Sequence, residues 1–305
     1  MKIVIAGGTG FLGRALARSL AAEGNSVVVL SRGGPPRLDV GRVRTVSWTA
    51  DGEVGDWAGD LDGADAVINL AGESIAARRW TEQQKHLILD SRLLTTRSLV
   101  RAMACANVPP TVFISGSAVG YYGPARDELL GEDAPPGADF LARVCVEWEA
   151  EARRASSDRT RVVLIRTGLV LEGDGGALPR MLPPFKLGAG GRVGSGRQYW
   201  PWIHREDWIA MVRWVMATPG MAGAVNATGP TPVTNAEFAR TLGEVLHRPA
   251  FMPVPGFVLG ILLGEMAESL LLSGQRAIPA RAERAGFTFR YTRLLDALRA
   301  IFSAH

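Results

Sequence analysis

Three glycines at the spacing Gly7-x-x-Gly10-x-x-Gly13 join the apolar run Ile3-Val4-Ile5-Ala6 to a helical pattern over Leu12–Glu23. A strand that turns this sharply into a helix constrains the fold more than any other stretch of the chain. Gly7 permits the tight turn, Gly10 lets a bound group approach the backbone, and Gly13 lets strand and helix pack closely. The exposed N–H groups and partial positive charge of a helix N-terminus then face whatever fills the turn, and they favour phosphate. Gly7, Thr9, Gly10, Phe11, Leu12 and Gly13 are therefore the first candidate binding residues. The plain alternative is a structural turn with no ligand. The context, a βαβ unit beginning at residue 3, favours the phosphate reading.

Further β-branched or apolar runs follow at Val27–Leu30, Val43–Trp48, Ala66–Leu70, Val112–Ser115 and Val162–Arg166. Between them, Thr81–Ala106 and Phe140–Ala155 carry helical spacing. Continuous apolar runs are the mark of parallel strands covered on both faces, so the expected fold class is α/β. A Rossmann-type doubly wound parallel sheet is expected, with a smaller, mostly helical C-terminal substrate-side or appended region. The second strand ends Val29-Leu30-Ser31-Arg32 with no acid to hold a ribose 2′-hydroxyl. Ser31 and Arg32 suit a 2′-phosphate, which puts NADP(H) ahead of NAD(H) as the cofactor. Against this stands a solvent-facing arginine in an arginine-rich chain, in which all but three of the 34 basic residues are arginine.

After Arg166 the texture changes. The Gly- and Pro-rich stretch 173–196 reads as a loop-heavy excursion, and 202–216 as a loop followed by a helix. Ala224–Asn226 reads as a strand, and Thr234-Asn235-Ala236-Glu237 as a capped helix start. The expected division is a nucleotide-binding domain over 1–170, to which 200–228 returns, and a substrate-side region of 171–199 and 229–305. Residues 248–300 form an appended module within that region. The net charge of +4 is diffuse across 34 basic and 30 acidic residues, which argues against a nucleic-acid partner. Two cysteines, Cys105 and Cys145, make neither a disulfide framework nor a metal site, so no metal is expected. The apolar stretch 257–263 is too short to span a bilayer, and no membrane partner is expected. The expectation is a cytoplasmic protein acting on a small molecule, with homo-oligomer formation left open.

Asn69-Leu70-Ala71-Gly72 follows the fourth strand, and Ser115-Gly116-Ser117-Ala118-Val119-Gly120-Tyr121-Tyr122-Gly123 follows the fifth. Together with the glycine loop and Trp202-Ile203-His204-Arg205-Glu206-Asp207, these stretches make the chain resemble the extended short-chain dehydrogenase/reductase superfamily. Glu73-Ser74-Ile75, Arg79-Trp80-Thr81, Gly175-Gly176-Ala177-Leu178-Pro179 and the tail from His247 to Phe289 narrow the match to its atypical, epimerase-like branch. The resemblance implies that Leu70, Ala71 and Gly72 border the cofactor and that Ser117 polarises a carbonyl. It also implies an oxidoreductase or epimerase acting on a small polar, sugar- or nucleotide-sugar-like substrate.

One departure matters for the chemistry. The superfamily's acid–base pair is Tyr-x-x-x-Lys on a helix, and no lysine here lies four residues after any tyrosine. Phe140 and Val144 stand near the expected positions. Tyr122 and Arg126 share the spacing, but Gly123 and Pro124 between them speak against a helix. Tyr121 and Tyr122 remain candidates beside Ser117 for catalysis, and Glu73, Arg197, Trp200 and His204 for substrate contact. For His204 the simpler reading is a bond to the backbone, with Asp207 capping the helix that follows. Cys145 reads as core. The loss of the pair keeps a second function class in view: a non-catalytic NADP(H)-binding sensor or scaffold.

Overall fold

The computed structural model describes residues 1–33, 42–125 and 127–303. Arg126, and with it the Tyr122–Arg126 spacing, lies outside the described residues. Seven strands form one sheet: β1 (Lys2–Ala6), β2 (Ser26–Ser31), β3 (Val43–Ser47), β4 (Ala66–Asn69), β5 (Val112–Ala118), β6 (Arg161–Thr167) and β7 (Gly223–Ala227). Their order is β3-β2-β1-β4-β5-β6-β7, and every pairing is parallel. The inner strands are apolar along most of their length because both of their faces are covered, whereas the edge strand β3 exposes Arg44 and Ser47. Ile3 and Ile5 point into one core, and Val4 and Ala6 into the other. On the first face lie α1 (Phe11–Ala22) and α5 (Arg205–Ala217), which contribute Leu16, Leu20, Trp208 and Met211. On the second lie α2 (Glu82–Ala104) and α3 (Phe140–Arg153), which contribute Leu99, Met103 and Ala152. Since β1 pairs with β2 on one side and β4 on the other, the order reverses at β1. A crevice opens there beyond the strands' carboxyl ends.

A third core lies outside the sheet. It joins α4 (Leu178–Lys186), α6 (Asn235–Val245) and the Leu294–Ser303 helix through Leu182, Phe185, Phe238, Leu242 and Leu298. Helix α4 corrects the loop expected over 173–196. Pro183 and Pro184 lie inside it and remove two backbone donors, which is why the composition reads as loop. Burial of Leu178, Leu182 and Phe185 on one face keeps the segment helical. Helix α6 begins with the expected capping box, in which the Thr234 side chain and Glu237 satisfy each other's backbone donors. A short apolar helix, α7 (Gly256–Leu263), follows. In the 202–207 stretch His204 makes the expected bond to the backbone, and that bond gives it the capping role expected of Asp207. His204 caps α5, its Nδ1 accepting from the Glu206 N–H at 3.1 Å. Asp207 instead lies within the helix and accepts the backbone N–H groups of Arg290 and Tyr291 at 2.8 and 3.0 Å. The carboxylate therefore ties the C-terminal region to α5.

Among the described residues no helix is long and apolar enough to cross a membrane, and no cluster of metal-ligating side chains occurs.

Candidate functional site

The site begins at the turn after β1. Gly7 has φ +78°, and a Cβ there would come within 2.6 Å of the Leu70 carbonyl carbon. A Cβ at Gly13 would collide with the Gly7 carbonyl oxygen. Glycine at both positions lets β1, the turn and the start of β4's exit loop close on each other. Helix α1 opens with no capping side chain and no acid in its first turn. Helices α2, α3, α5 and α6 are each capped by a side chain, from Thr81, Asp139, His204 and Thr234. The α1 N-terminus thus keeps its donors available to an anion.

A cleft of about 570 Å³ runs from this turn. Gly7, Gly10, Phe11, Leu12 and Gly13 form one end, and Leu70, Gly72, Glu73 and Ser117 lie further along. Ala71 is fixed beside it, its N–H donating to Asn69 Oδ1 at 3.1 Å. Asn69 Nδ2 in turn donates to Thr96 Oγ1 on α2 at 2.9 Å. Ser31 is buried at the end of β2, and Arg32, the next residue, is exposed.

Ser117 stands at the head of a buried polar network. Its hydroxyl donates to Glu149 Oε1 at 2.8 Å. Arg166 Nε and Nη2 reach the two oxygens of the same carboxylate at 2.7 and 2.9 Å, and Arg153 Nη2 reaches Oε2 at 2.9 Å. Four donors on one wholly buried carboxylate hold Ser117 in a fixed place.

Tyr121 and Tyr122 lie behind this network and do not border the cleft. The Tyr122 hydroxyl donates to Asn226 Oδ1 at 2.7 Å and accepts from Arg166 Nη1 at 3.0 Å. Burial raises its pKa against the opposing pull of Arg166, the wrong direction for a tyrosine that exchanges protons near neutrality. The Tyr121 ring stacks on the Arg166 guanidinium, 3.4 Å from its carbon. Both tyrosines are therefore parts of the scaffold beneath Ser117, a correction to their expected place beside the reacting group.

Of the substrate candidates, Glu73 and Trp200 border the cleft. Arg197 is exposed on its loop and His204 is buried as the α5 cap, both away from the cleft lining. Glu73 is positioned by its backbone: its N–H donates to Ser91 Oγ at 2.8 Å, and its carbonyl accepts from Arg92 Nη1 at 3.0 Å. Cys145 also lines the cleft, but burial pushes its thiol up to about 11, which keeps it protonated and unreactive.

Arg92 has a larger place than its sequence position suggests. It borders the cleft and lies over the Trp148 ring at 5.2 Å. Nη1 is spent on the carbonyls of Glu73 and Ile88, and burial pulls its pKa below the ordinary arginine value. Sequence reasoning also passed over Glu149, Arg166, Asn226 and Glu132, whose carboxylate accepts from the Asn226 N–H at 3.0 Å and whose carbonyl accepts from Arg166 Nη1 at 3.1 Å. A charge inside the apolar run of β6, Arg166, was the available signal, since a buried charge requires a partner.

A Rossmann-type nucleotide cleft with Ser117 at its far wall defines a member of the short-chain dehydrogenase/reductase class. The chain belongs to the NAD dependent epimerase/dehydratase family, whose model matches residues 3–227, and residues 254–301 match the domain of unknown function DUF1731. It is 39% identical over 304 residues to the human epimerase family protein SDR39U1, covering 99% of both chains. Identity is 41% over 303 residues to the chloroplastic SDR39U1 homolog of Arabidopsis thaliana, covering 99% of this chain and 86% of that one. The crystal structure of human SDR39U1 (isoform 2) with NADPH superposes with a TM-score of 0.91 at 37% identity and complete coverage of both chains. A nucleoside-diphosphate sugar epimerase from Corynebacterium glutamicum superposes at 0.79 and 33% identity, over all of this chain and 59% of that one.

Proposed function

We propose that the protein is an NADP(H)-dependent oxidoreductase that interconverts a carbonyl and an alcohol, or an epimerase if the hydride returns to the opposite face. The observation that carries this reading is one continuous cleft lined at one end by the glycine turn and at the other by Ser117, Glu73 and Arg92. The open α1 N-terminus suits the pyrophosphate, and Ser31 and Arg32 suit the 2′-phosphate. The similarity to a protein crystallised with NADPH supports the same choice. When bound, the nicotinamide supplies or accepts a hydride.

The remaining work falls to side chains of this chain. The Ser117 hydrogen can rotate from Glu149 to a carbonyl oxygen, because three arginine donors still hold that carboxylate. Arg92 offers positive charge to an oxygen that becomes negative in the transition state. Glu73 is the group on the same wall that can exchange the proton. In domain terms, residues 1–170 and 200–228 bind the nucleotide, and 171–199 with 229–305 cover the substrate.

The test is NADPH oxidation by the full chain over a panel of carbonyl compounds. Ser117→Ala and Arg92→Met should each lower kcat by about 10²-fold or more while leaving NADPH affinity within a few-fold. Tight NADPH binding with silence across the panel would instead establish the second reading, a non-catalytic sensor. That reading draws its support from the absent Tyr-x-x-x-Lys pair.

A further inference from the structure

A second cavity, of about 810 Å³, adjoins the nucleotide cleft on its C-terminal side. The two share Phe11, Ser74, Leu169, Met181 and Trp200 in their walls, so the cavity lies directly against the cleft. The cavity is built from α4, α6 and α7 through Phe185, Phe238, Ala239, Leu259 and Leu263. Arg180 is the one charged side chain among the described lining residues. It is exposed, and its Nη1 is spent on the Ala76 carbonyl at 3.0 Å. Asn235 is buried, and its Oδ1 is spent on the Val193 N–H at 2.7 Å.

A nucleotide sugar would bring a diphosphate carrying two negative charges, and each needs a cation or several donors once desolvated. The described lining supplies one exposed cation, Arg180, and no second charge to share the load. It supplies instead the apolar surface that a hydrocarbon body would remove from water. Helix α7 fits this composition. Leu259 and Leu263 line the cavity, while Phe257, Ile261 and Leu262 on the same short helix are exposed.

Resting on the oxidoreductase reading, we propose that the substrate is an apolar, long-chain or polycyclic carbonyl compound. Its hydrocarbon body occupies this cavity and its carbonyl emerges beside Ser117 and Arg92. Reduction adds a hydride to the carbonyl carbon and a proton to its oxygen, giving the alcohol, while NADPH is oxidised to NADP⁺.

The test uses the full chain saturated with NADP⁺ and the methyl ketones 2-pentanone, 2-octanone and 2-undecanone, with UDP-glucose as the polar comparison. Binding is read by quenching of tryptophan fluorescence, and turnover separately with NADPH. Each added CH₂ should tighten Kd roughly fourfold, and UDP-glucose should not compete. Leu259→Arg should weaken 2-undecanone at least tenfold and leave the NADPH thermal shift unchanged. Should that variant not fold, Ala189→Trp, at an exposed rim position, narrows the same cavity and should act likewise. A Kd independent of chain length, competition by UDP-glucose, or full ketone affinity in both variants would overturn the proposal. Turnover of polar carbonyls without ketone binding would also overturn it and leave the oxidoreductase reading standing. Chain-length-dependent binding without NADPH oxidation would support the apolar site and overturn the oxidoreductase reading.

Discussion

Replacing Arg166 by methionine tests how the platform under Ser117 is held. Glu149 has 0% of its surface exposed and Arg166 has 2%. The pair is joined by two hydrogen bonds at 2.7 and 2.9 Å. Arg166→Met would leave the carboxylate with Ser117 and the half-exposed Arg153 alone. It would also take a donor from the Tyr122 hydroxyl and from the Glu132 carbonyl. Stripping one partner from a buried ion pair costs about 3–5 kcal/mol, mostly because the remaining charge stays desolvated. The upper part of that range is expected here, since two further acceptors lose their donor.

Glu149→Leu combined with Arg166→Met removes both charges, and a same-sized apolar pair is often close to neutral. The double variant should therefore be more stable than Arg166→Met alone by about 2 kcal/mol or more, a coupling outside simple additivity. Urea unfolding followed by circular dichroism measures all four proteins, and an unchanged m value confirms that the same surface unfolds. A loss under about 1 kcal/mol for Arg166→Met, or strict additivity of the two single changes, would refute the reasoning.

Three further outcomes can be measured. Gly13→Ala places a Cβ against the Gly7 carbonyl and should both destabilise the protein and weaken NADPH at least tenfold, read by thermal shift and calorimetric titration. Arg32→Ala removes a charge-assisted contact worth about 1.5–3 kcal/mol, so the NADPH Kd should rise roughly 10- to 100-fold while NADH is unaffected; equal losses for both would disprove the 2′-phosphate assignment. Burial holds the His204 pKa below its ordinary value of about 6.5, so the unfolded chain takes up that proton first as pH falls. Its contribution to stability is complete above about pH 6.5 and is lost as pH drops through the folded pKa. His204→Asn, which can still cap α5, should flatten that slope in unfolding curves measured across the same window.

The sheet was legible because strands covered on both faces leave long apolar runs, and the runs at 3–6, 27–30, 66–70 and 162–166 coincide with sheet strands to within a residue or so. The glycine turn was legible because steric demands on a backbone leave a residue-specific trace. Helix α4 was not, since two prolines hide a helix that tertiary burial sustains. The polar network was hidden for another reason. Ser117, Glu149, Arg166 and Asn226 come from β5, α3, β6 and β7, and no local spacing links them. The tyrosines misled because position after β5 says nothing of which way a ring turns. Only the neighbouring Arg166 shows that both turn away from the cleft.

The placement of charge along the cleft explains what the loss of the usual pair entails. In the superfamily the acid–base tyrosine and lysine project from the helix corresponding to α3. Here Leu141, Val144, Cys145 and Trp148 are the side chains that α3 lends to the cleft, and Cys145 is held protonated by burial. None of these four side chains exchanges a proton near neutrality, and Asp139, the α3 cap that also lines the cleft, spends Oδ1 on the Ala142 N–H at 2.8 Å. Beside this wall, on the α2 side, lie Glu73 with its backbone pinned at both ends, and Arg92 with its guanidinium laid over Trp148. The acid–base group proposed here, Glu73, therefore comes from the α2 side and not from α3. If Glu73 supplies the proton, Glu73→Gln should reduce kcat by about 10²-fold and leave NADPH affinity within a few-fold. If kcat survives the change, the proton comes from water, and the site works by Ser117 and Arg92 alone.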